Sequence, residues 1–370
     1  MKSARPLSVF IVGTRAQLIK VAPVMIACER ENQAALLLLT GQHVETMQDL
    51  IEEFGIRSPQ ENAVPELERS TVQSLVRWIP RAYLALSRKL GSMKADGRAL
   101  NVVVHGDTMS TVLGAVAARR NGIKVFHLES GLTSGKLFDP FPEEISRRIV
   151  FRVTDVAVCP GAESASYMRK NYRCSVIDTV ANTIVDSVMM ATQHLDSPVK
   201  EEGPQAPYMV ASLHRFQNLF DGKRLRFLVK FLSELSLRYP IHFVLHPATK
   251  KRLESEGLLA GLSAIPNIRL SPRLGYSAFL GLASRAACVL TDGGSNQEEL
   301  AVLGVPTIVM RQTTERADGL GENAIMEADL GQGLREYCLS GRFEELRRPS
   351  RVKSGMGPSL AVADLLASKK

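Results

Sequence analysis

The sequence predicts an α/β protein made of two Rossmann-like domains, each a doubly wound parallel sheet, with an interdomain cleft. Three observations carry that expectation. Short apolar runs alternate with helix-length stretches over most of the 370 residues, which is the pattern of βαβ units in a parallel sheet. Four of the runs end in a polar cluster with a helix directly behind it: Gly13-Thr14-Arg15, His105-Gly106-Asp107-Thr108, Ser212-Leu213-His214-Arg215 and Asp292-Gly293-Gly294-Ser295. The alternation breaks once, at residues 196–207 (DSPVKEEGPQAP), which are rich in Pro and charge and lack periodicity, and then restarts.

In chain order, strands are expected at residues 8–12, 35–39, 101–104, 124–128 and 156–159, then at 208–212, 242–245, 268–270, 288–290 and 307–310. The opening segment, MKSARPLSVFIVGTRA, has a faint look of a signal sequence. Its apolar run covers only residues 7–12, too short for such a role, so it is read as the first core strand. The helix behind Asp107 runs through TVLGAVAARR and stops near Asn121-Gly122. Behind the strand at 288–290, Asp292-Gly293-Gly294 makes a tight turn. Ser295 is then the expected N-cap, with Glu298 closing a capping box. That helix ends at Gly304, with Pro306 just beyond. A final helix is expected at 361–370. The domains are placed at residues 1–180 and 181–370, with the last helix free to cross back to the first domain.

Composition removes several classes of function. The apolar share of 45% and charged share of 23% are those of an ordinary globular protein. No apolar run approaches the ~18 residues of a membrane span, so a cytoplasmic protein without a membrane partner is expected. Cys28, Cys159, Cys174, Cys288 and Cys338 are scattered and show no CxxC spacing, which argues against disulfides and zinc. The net charge of +8 is spread along the chain, and its short basic clusters lack interleaved aromatics. Anionic phosphates and solvated surface account for it better than nucleic acid does. No GxGxxG, P-loop or HExxH pattern occurs, so neither a cofactor nor a metal is expected.

The polar clusters lie at the carboxyl ends of strands, where open α/β sheets bind their ligands. Gly293, Gly294 and Ser295, before a helix, let backbone N–H groups approach a phosphate. Glu299 lies one turn into that helix, within reach of ribose hydroxyls. Arg15, Lys20, Arg311 and Arg316 add positive charge near strand ends. Asp107 and Glu129 close two apolar strands joined by one helix, and Glu143 opens a helix behind Pro142. If those two strands are neighbours, the carboxylates gather at one sheet edge, where mutual repulsion suits proton transfer near neutral pH. His214, His43 and His246 are strand-end histidines able to meet a phosphate or act as an acid, and His105 and His127 can orient Asp107 and Glu129. Taken singly, each also has a plain explanation: an N-cap at Asp107, a helix-start acid at Glu143, solvated charge at Arg15, Lys20 or Glu299, a structural histidine at His214.

Together the segments resemble the non-hydrolysing UDP-N-acetylglucosamine 2-epimerase family, from the first strand to about Gly321. GTRAQLIKVAPV resembles that family's GTRPEAIKMAPV, and LTGQH, VHGDT, HLESGL, PFPEE, LHRFQN, TDGGSNQEE and MRQTTER follow in its order and spacing. The resemblance implies a fold of the glycosyltransferase-B type, a UDP-sugar substrate held mainly by the second domain, a homodimer, and a place in sugar-nucleotide metabolism. It implies Asp107, Glu129 and Glu143 as catalytic acids, Lys20 and His214 as catalytic cations, and Arg15, His246, Phe279, Gly293, Gly294, Ser295, Glu299 and Arg316 as substrate contacts. The chain departs from the family pattern at Ala16-Gln17, Thr133, Val44-Glu45, Phe216-Gln217 and the order of the Gly293-Gly294-Ser295 turn. Some of these neighbourhoods hold a second, activating UDP-sugar in many bacterial members, and loss of that regulation is expected here. The alternatives left open are a hydrolysing 2-epimerase that releases ManNAc and UDP, a glycosyltransferase of the same fold, and a non-catalytic UDP-sugar sensor.

Overall fold

A computed structural model describes residues 5–42, 47–64, 72–137, 141–193, 207–314, 316–352, 355 and 357–368. Thus His43, Val44, Glu45 and most of the expected break at 196–207 lie outside the described residues.

The chain divides into two compact units, Met1–Met190 with Ser354–Lys370, and Ala191–Lys353. The first runs β1 (Leu7–Val12), α1 (Arg15–Arg30), β2 (Ala35–Leu39), α2 (Gln48–Phe54), β3 (Gln60–Asn62), α3 (Val72–Ala95), β4 (Leu100–His105), α4 (Met109–Arg120), β5 (Lys124–Leu128), α5 (Glu143–Val153), β6 (Val156–Cys159), α6 (Ala162–Asn171), β7 (Ser175–Asp178) and α7 (Ile184–Thr192). The second runs β8 (Met209–Ser212), α8 (Phe216–Leu219), α9 (Gly222–Leu235), β9 (Ile241–Leu245), α10 (Pro247–Ser255), α11 (Leu259–Ser263), β10 (Ile268–Pro272), α12 (Tyr276–Ser284), β11 (Cys288–Thr291), α13 (Gly294–Leu303), β12 (Thr307–Val309), β13 (Ala324–Met326), α14 (Glu327–Leu330) and α15 (Leu334–Ser340). Last comes α16 (Pro358–Ala367), which belongs to the first unit.

The first sheet is ordered β3-β2-β1-β4-β5-β6-β7 and the second β10-β9-β8-β11-β12-β13, with every pairing parallel. The two-domain parallel α/β architecture read from the sequence is therefore present. Strand order reverses between β1 and β4 and again between β8 and β11, which makes the carboxyl ends of those strands the places where such sheets take ligands. The central strands are buried on both faces, as parallel strands must be. In β8, Met209 and Ala211 join the core built with Leu225, Leu228 and Phe231 of α9, while Val210 packs on the other face with Val289 and Leu300. In the first unit, Val9, Ile11, Val102 and Val104 meet Trp78, Ala82, Leu86 and Leu90, a four-residue spacing down one face of α3.

Three strands were not expected from the sequence, because β3 is polar and the apolar stretches of β7 and β13 are only two and three residues long. All three are sheet edges, and β3 is exposed along its whole length. The observed division between the units also falls later than residue 180. The reason is α7, which is fastened to the first unit. Ser187 Oγ donates to the Ile19 carbonyl at 2.6 Å, and the Asp186 carboxylate receives the amides of Gly357 and Ser359 at 2.9 and 2.7 Å. Those contacts cap the start of α16, which begins at Pro358 rather than at residue 361. Gln33 and Asn101 side chains donate to the carbonyls of Ala363 and Leu366 further along it.

Candidate active site

In the first unit, the end of β1 comes very close to α4: a Cβ on Gly13 would lie 1.9 Å from Ser110 Oγ, so glycine is required there. Thr14 caps α1, its Oγ1 accepting the Gln17 amide at 3.3 Å. The buried Gln17 side chain accepts from Gly13 N–H at 2.9 Å. It donates to the His105 carbonyl at 2.7 Å and to Thr111 Oγ1 at 2.9 Å. Where the family has Glu, Gln17 thus clamps the carboxyl ends of β1 and β4 together. Arg15, at the start of α1, makes a two-pronged ion pair with Asp49 of α2 at 2.5 and 2.6 Å. In the second turn of that helix, Lys20 is buried and forms an ion pair with Glu129.

Glu129 is the residue on which this cluster converges. It follows β5 directly and has φ of 59°, a left-handed conformation that costs a side-chain-bearing residue about 1–2 kcal/mol. Its Oε2 receives Lys20 Nζ and, at 2.5 Å, Asn182 Nδ2, and His105 Nε2 lies 3.7 Å away. β4 and β5 pair directly, with His105 opposite Leu128, so Asp107 and Glu129 do close neighbouring strands. Asp107 is not the N-cap of α4, because Thr108 takes that position. Its carboxylate pairs instead with Arg147 Nη2 at 2.5 Å.

Arg147 is itself buried on α5 beside Glu144, with Nη1 3.4 Å from Oε2. Glu144 is entirely buried and also accepts from Thr133 Oγ1 at 2.5 Å, the Ser134 amide at 3.2 Å and Arg148 Nε at 3.1 Å. Burial alone would raise its proton affinity, but these donors and the Arg147 charge outweigh it and hold the carboxyl below its usual range. Thr133, which stands where the family often has Arg, therefore has a local partner. Glu143 opens α5 with Pro142 at the N-cap position, and its Oε2 is buried without a hydrogen bond from the described residues.

His127 does not reach a carboxylate. Its ring lies between the Gly106 carbonyl, 2.8 Å from Nε2, and Ser130 Oγ, 3.1 Å from Nδ1, so it fixes the turn before Asp107. Full burial lowers its pKa to about 4, which keeps the ring neutral.

In the second unit, a second cluster of candidate residues gathers at the turn after β11. The fully buried Asp292 receives the His214 amide at 2.9 Å, the Arg215 amide at 3.0 Å and Asn218 Nδ2 at 2.8 Å, which rivets the loop after β8 to this turn. His214 Nδ1 lies 3.3 Å from the same carboxylate, and its ring stands 5.4 Å from that of His246. A Cβ on Gly293 would lie 3.0 Å from His214 Cε1, and one on Gly294 would lie 3.0 Å from Arg316 Nε and 3.8 Å from Arg215 Nη2. His214, Arg215 and Arg316 thus crowd the N-terminus of α13, where unpaired amides favour an anion.

The expected capping box is absent. The N-cap of α13 is Gly293, and Ser295 lies inside the helix. The Thr291 hydroxyl accepts the Gly293 amide at 3.1 Å and so starts the helix early, and Glu298 forms an ion pair with Arg316 instead of reaching back. Glu299 is buried on α13 and Arg311 donates to Thr314 Oγ1 at 3.2 Å. His246 caps α10, accepting the Ala248 amide at 3.3 Å. Phe279 packs, half-buried, on the core formed by Val210, Val244 and Ala283.

Reading residue types at strand ends missed Gln17, Arg147 and Asn182 as members of these clusters, and took Asp292 as a turn residue rather than as the hub for the His214 and Arg215 amides. Arg147 carried a signal, standing one helical turn after Glu143. Asn182 and Gln17 carried none, since their partners are remote in the chain. Among the described residues no group of His, Cys, Asp and Glu side chains is placed to hold a metal ion, and no described helix is long and apolar enough to cross a membrane.

The chain is thus a two-unit parallel α/β protein of the glycosyltransferase-B type, with a carboxylate cluster in one unit and a cation-lined glycine turn at a helix start in the other. Residues 26–331 match the family model described as UDP-N-acetylglucosamine 2-epimerase. A UDP-N-acetylglucosamine 2-epimerase of Methanocaldococcus jannaschii is 32% identical over 323 residues, covering 83% of this chain and 84% of that one. One from Methanococcus maripaludis is 31% identical over 329 residues, covering 85% of each. The crystal structure of the Methanocaldococcus jannaschii UDP-GlcNAc 2-epimerase in complex with UDP-GlcNAc and UDP superposes with a TM-score of 0.78 at 26% identity, covering 97% of this chain and 99% of that one. The chain belongs to the UDP-N-acetylglucosamine 2-epimerase family.

Proposed function

We propose that the protein interconverts UDP-N-acetylglucosamine and UDP-N-acetylmannosamine, or close relatives of them, by inversion at C2 of the sugar. A base takes the C2 proton while UDP leaves C1, giving a 2-acetamidoglucal. Reprotonation of C2 on the opposite face and return of UDP to C1 complete the exchange, with no net change in atoms or oxidation state. The C2 proton is weakly acidic, so the step needs positioned acid–base groups and stabilisation of the departing diphosphate.

The observation that carries this reading is the arrangement around Glu129: a strained backbone, a buried Lys20 and a second donor on one oxygen, beside a strand that ends in Asp107. The three acids are held differently. Glu129 is fixed by Lys20 and Asp107 by Arg147, while Glu143 keeps a buried oxygen with no hydrogen bond from the described residues. All three acids belong to the proton-transfer set, with Asp107 and Glu129 the two that are anchored by a cation. His214, Arg215, Arg316 and the α13 amides would take the diphosphate charge, with His246, Phe279, Ser295 and Glu299 lining the nucleotide, and the family resemblance adds Arg15 as a substrate contact. The resemblance to the non-hydrolysing members supports return of UDP to the sugar over release of free ManNAc. It also supports a homodimer working in the cytoplasm, and exposed Val76 and Leu84 on α3 offer a second copy an apolar face.

The test is substitution of the acids. Asp107→Asn and Glu129→Gln are expected to abolish turnover and to keep UDP binding near that of the parent. Loss of UDP binding in both variants, with folding intact, would refute the assignment.

A further inference from the structure

Asn182 lies between β7 and α7, in a stretch that the motifs do not cover, yet it meets the centre of the carboxylate cluster. Its Nδ2 donates to Glu129 Oε2 at 2.5 Å, the oxygen that also receives Lys20. Its Oδ1 accepts the Ile184 amide at 3.3 Å in the first turn of α7. That contact fixes which way the amide faces, because the oxygen is engaged by the helix and the nitrogen is turned to Glu129. With Oε2 held from two sides, Oε1 is directed toward the turn before Asp107: a Cβ on Gly106 would lie 4.0 Å from it. One turn further on, Ser187 of the same helix donates to the Ile19 carbonyl, next to Lys20. Thus the stretch from Asn182 to Ser187 contacts Glu129 itself and the residue next to Lys20.

We propose that Asn182 is a positioning residue for proton transfer: it anchors Glu129 by Oε2 and sets that carboxylate from the start of α7. The proposal rests on the reading of Glu129 as a catalytic acid. A carboxylate with free rotation would present either oxygen in many orientations, and holding one in place removes that search from the chemical step.

Lys20 on α1, His105 on β4 and Asn182 face Glu129, and the neutral His127 on β5 lies near enough to feel its charge without touching it. The change that separates positioning from mere helix capping is Asn182→Asp. Asp keeps an acceptor for the Ile184 amide and caps helices as well as Asn does. It removes the donor to Glu129 and puts a like charge against it.

The expected result is a melting temperature within a few degrees of the parent and unchanged UDP affinity. Turnover should fall about 100-fold at neutral pH, with the acidic limb of the pH–rate profile moved upward by about one unit. Asn182→Ser, which also caps but is too short to reach Glu129, should lose turnover about 10-fold without that upward move. Parental turnover and pH profile in Asn182→Asp, with Glu129→Gln inactive, would overturn the proposal and leave the role of Glu129 standing. A loss in either Asn182 variant that only follows thermal stability, with no pH displacement in Asn182→Asp, would also overturn it. Parental turnover in Glu129→Gln would instead remove the reading beneath it.

Discussion

Replacing Lys20 by Met probes the buried ion pair at the centre of the first unit. The side chains of Lys20 and Glu129 are only 3% and 5% exposed, so water cannot screen what is left when one partner is removed. Met keeps most of the volume of the Lys stem. The cost is therefore that of an unbalanced carboxylate, about 3–5 kcal/mol. For a unit of about 200 residues, that corresponds to a fall of about 10 °C in its melting temperature. Calorimetry of Lys20→Met, Glu129→Gln and the double variant measures it. The double variant removes the stranded charge as well, so it should be more stable than Lys20→Met, with a coupling of about 2 kcal/mol or more across the cycle. A loss under about 1 kcal/mol in Lys20→Met, or strictly additive losses, would show that the two side chains are not an energetic unit.

Asp292→Asn keeps the shape of a buried hub but turns an accepting oxygen into a donor facing the His214 and Arg215 amides. UDP affinity measured by calorimetry should fall about 10–100-fold, in line with a lost charge-assisted hydrogen bond of about 1.5–3 kcal/mol. Gly304→Ala would strain a residue at φ of 68° and drive a Cβ to 2.2 Å from the Arg348 carbonyl. Denaturant melts of the second unit should show a loss of about 2 kcal/mol or more. For His127, whose pKa falls from 6.5 to about 4 on folding, the unfolded chain binds the extra proton between those values. Stability should therefore drop by about 3 kcal/mol as the pH falls from 6.5 to 4, with no contribution from this group above that window. His127→Gln should flatten that slope, and an equal slope in parent and variant would contradict it.

What the sequence revealed follows from where its signals are local. Central strands such as β1 and β8 must be apolar on both faces, so they stood out. β3 reads Gln-Glu-Asn and is entirely exposed, so it gave no pattern to detect. Asp107 and Glu129 were legible because strand ends are where chemistry collects, and the direct pairing of β4 with β5 brought those ends to neighbouring positions. Lys20 was legible as a candidate cation, but its pairing with Glu129 was not, and neither was Asn182, since these residues lie 109 and 53 positions from Glu129. Ser295 shows a local rule losing to its surroundings. Its spacing to Glu298 is that of a capping box, but the Thr291 hydroxyl holds Gly293 and starts α13 earlier, and Arg316 claims Glu298. Gln17 shows the reverse: the loss of the family's Pro-Glu removes one way of starting α1, and the Thr14 cap with the buried Gln17 amide supplies another.

The most direct test is incubation of the protein with UDP-GlcNAc in D2O, followed by NMR of the sugar. The account predicts deuterium at C2 in recovered UDP-GlcNAc together with newly formed UDP-ManNAc, and both signals absent from Glu129→Gln. Turnover of UDP-GlcNAc with hydrogen retained at C2, or UDP-ManNAc formed without deuterium, would contradict the proton-transfer role given to these carboxylates.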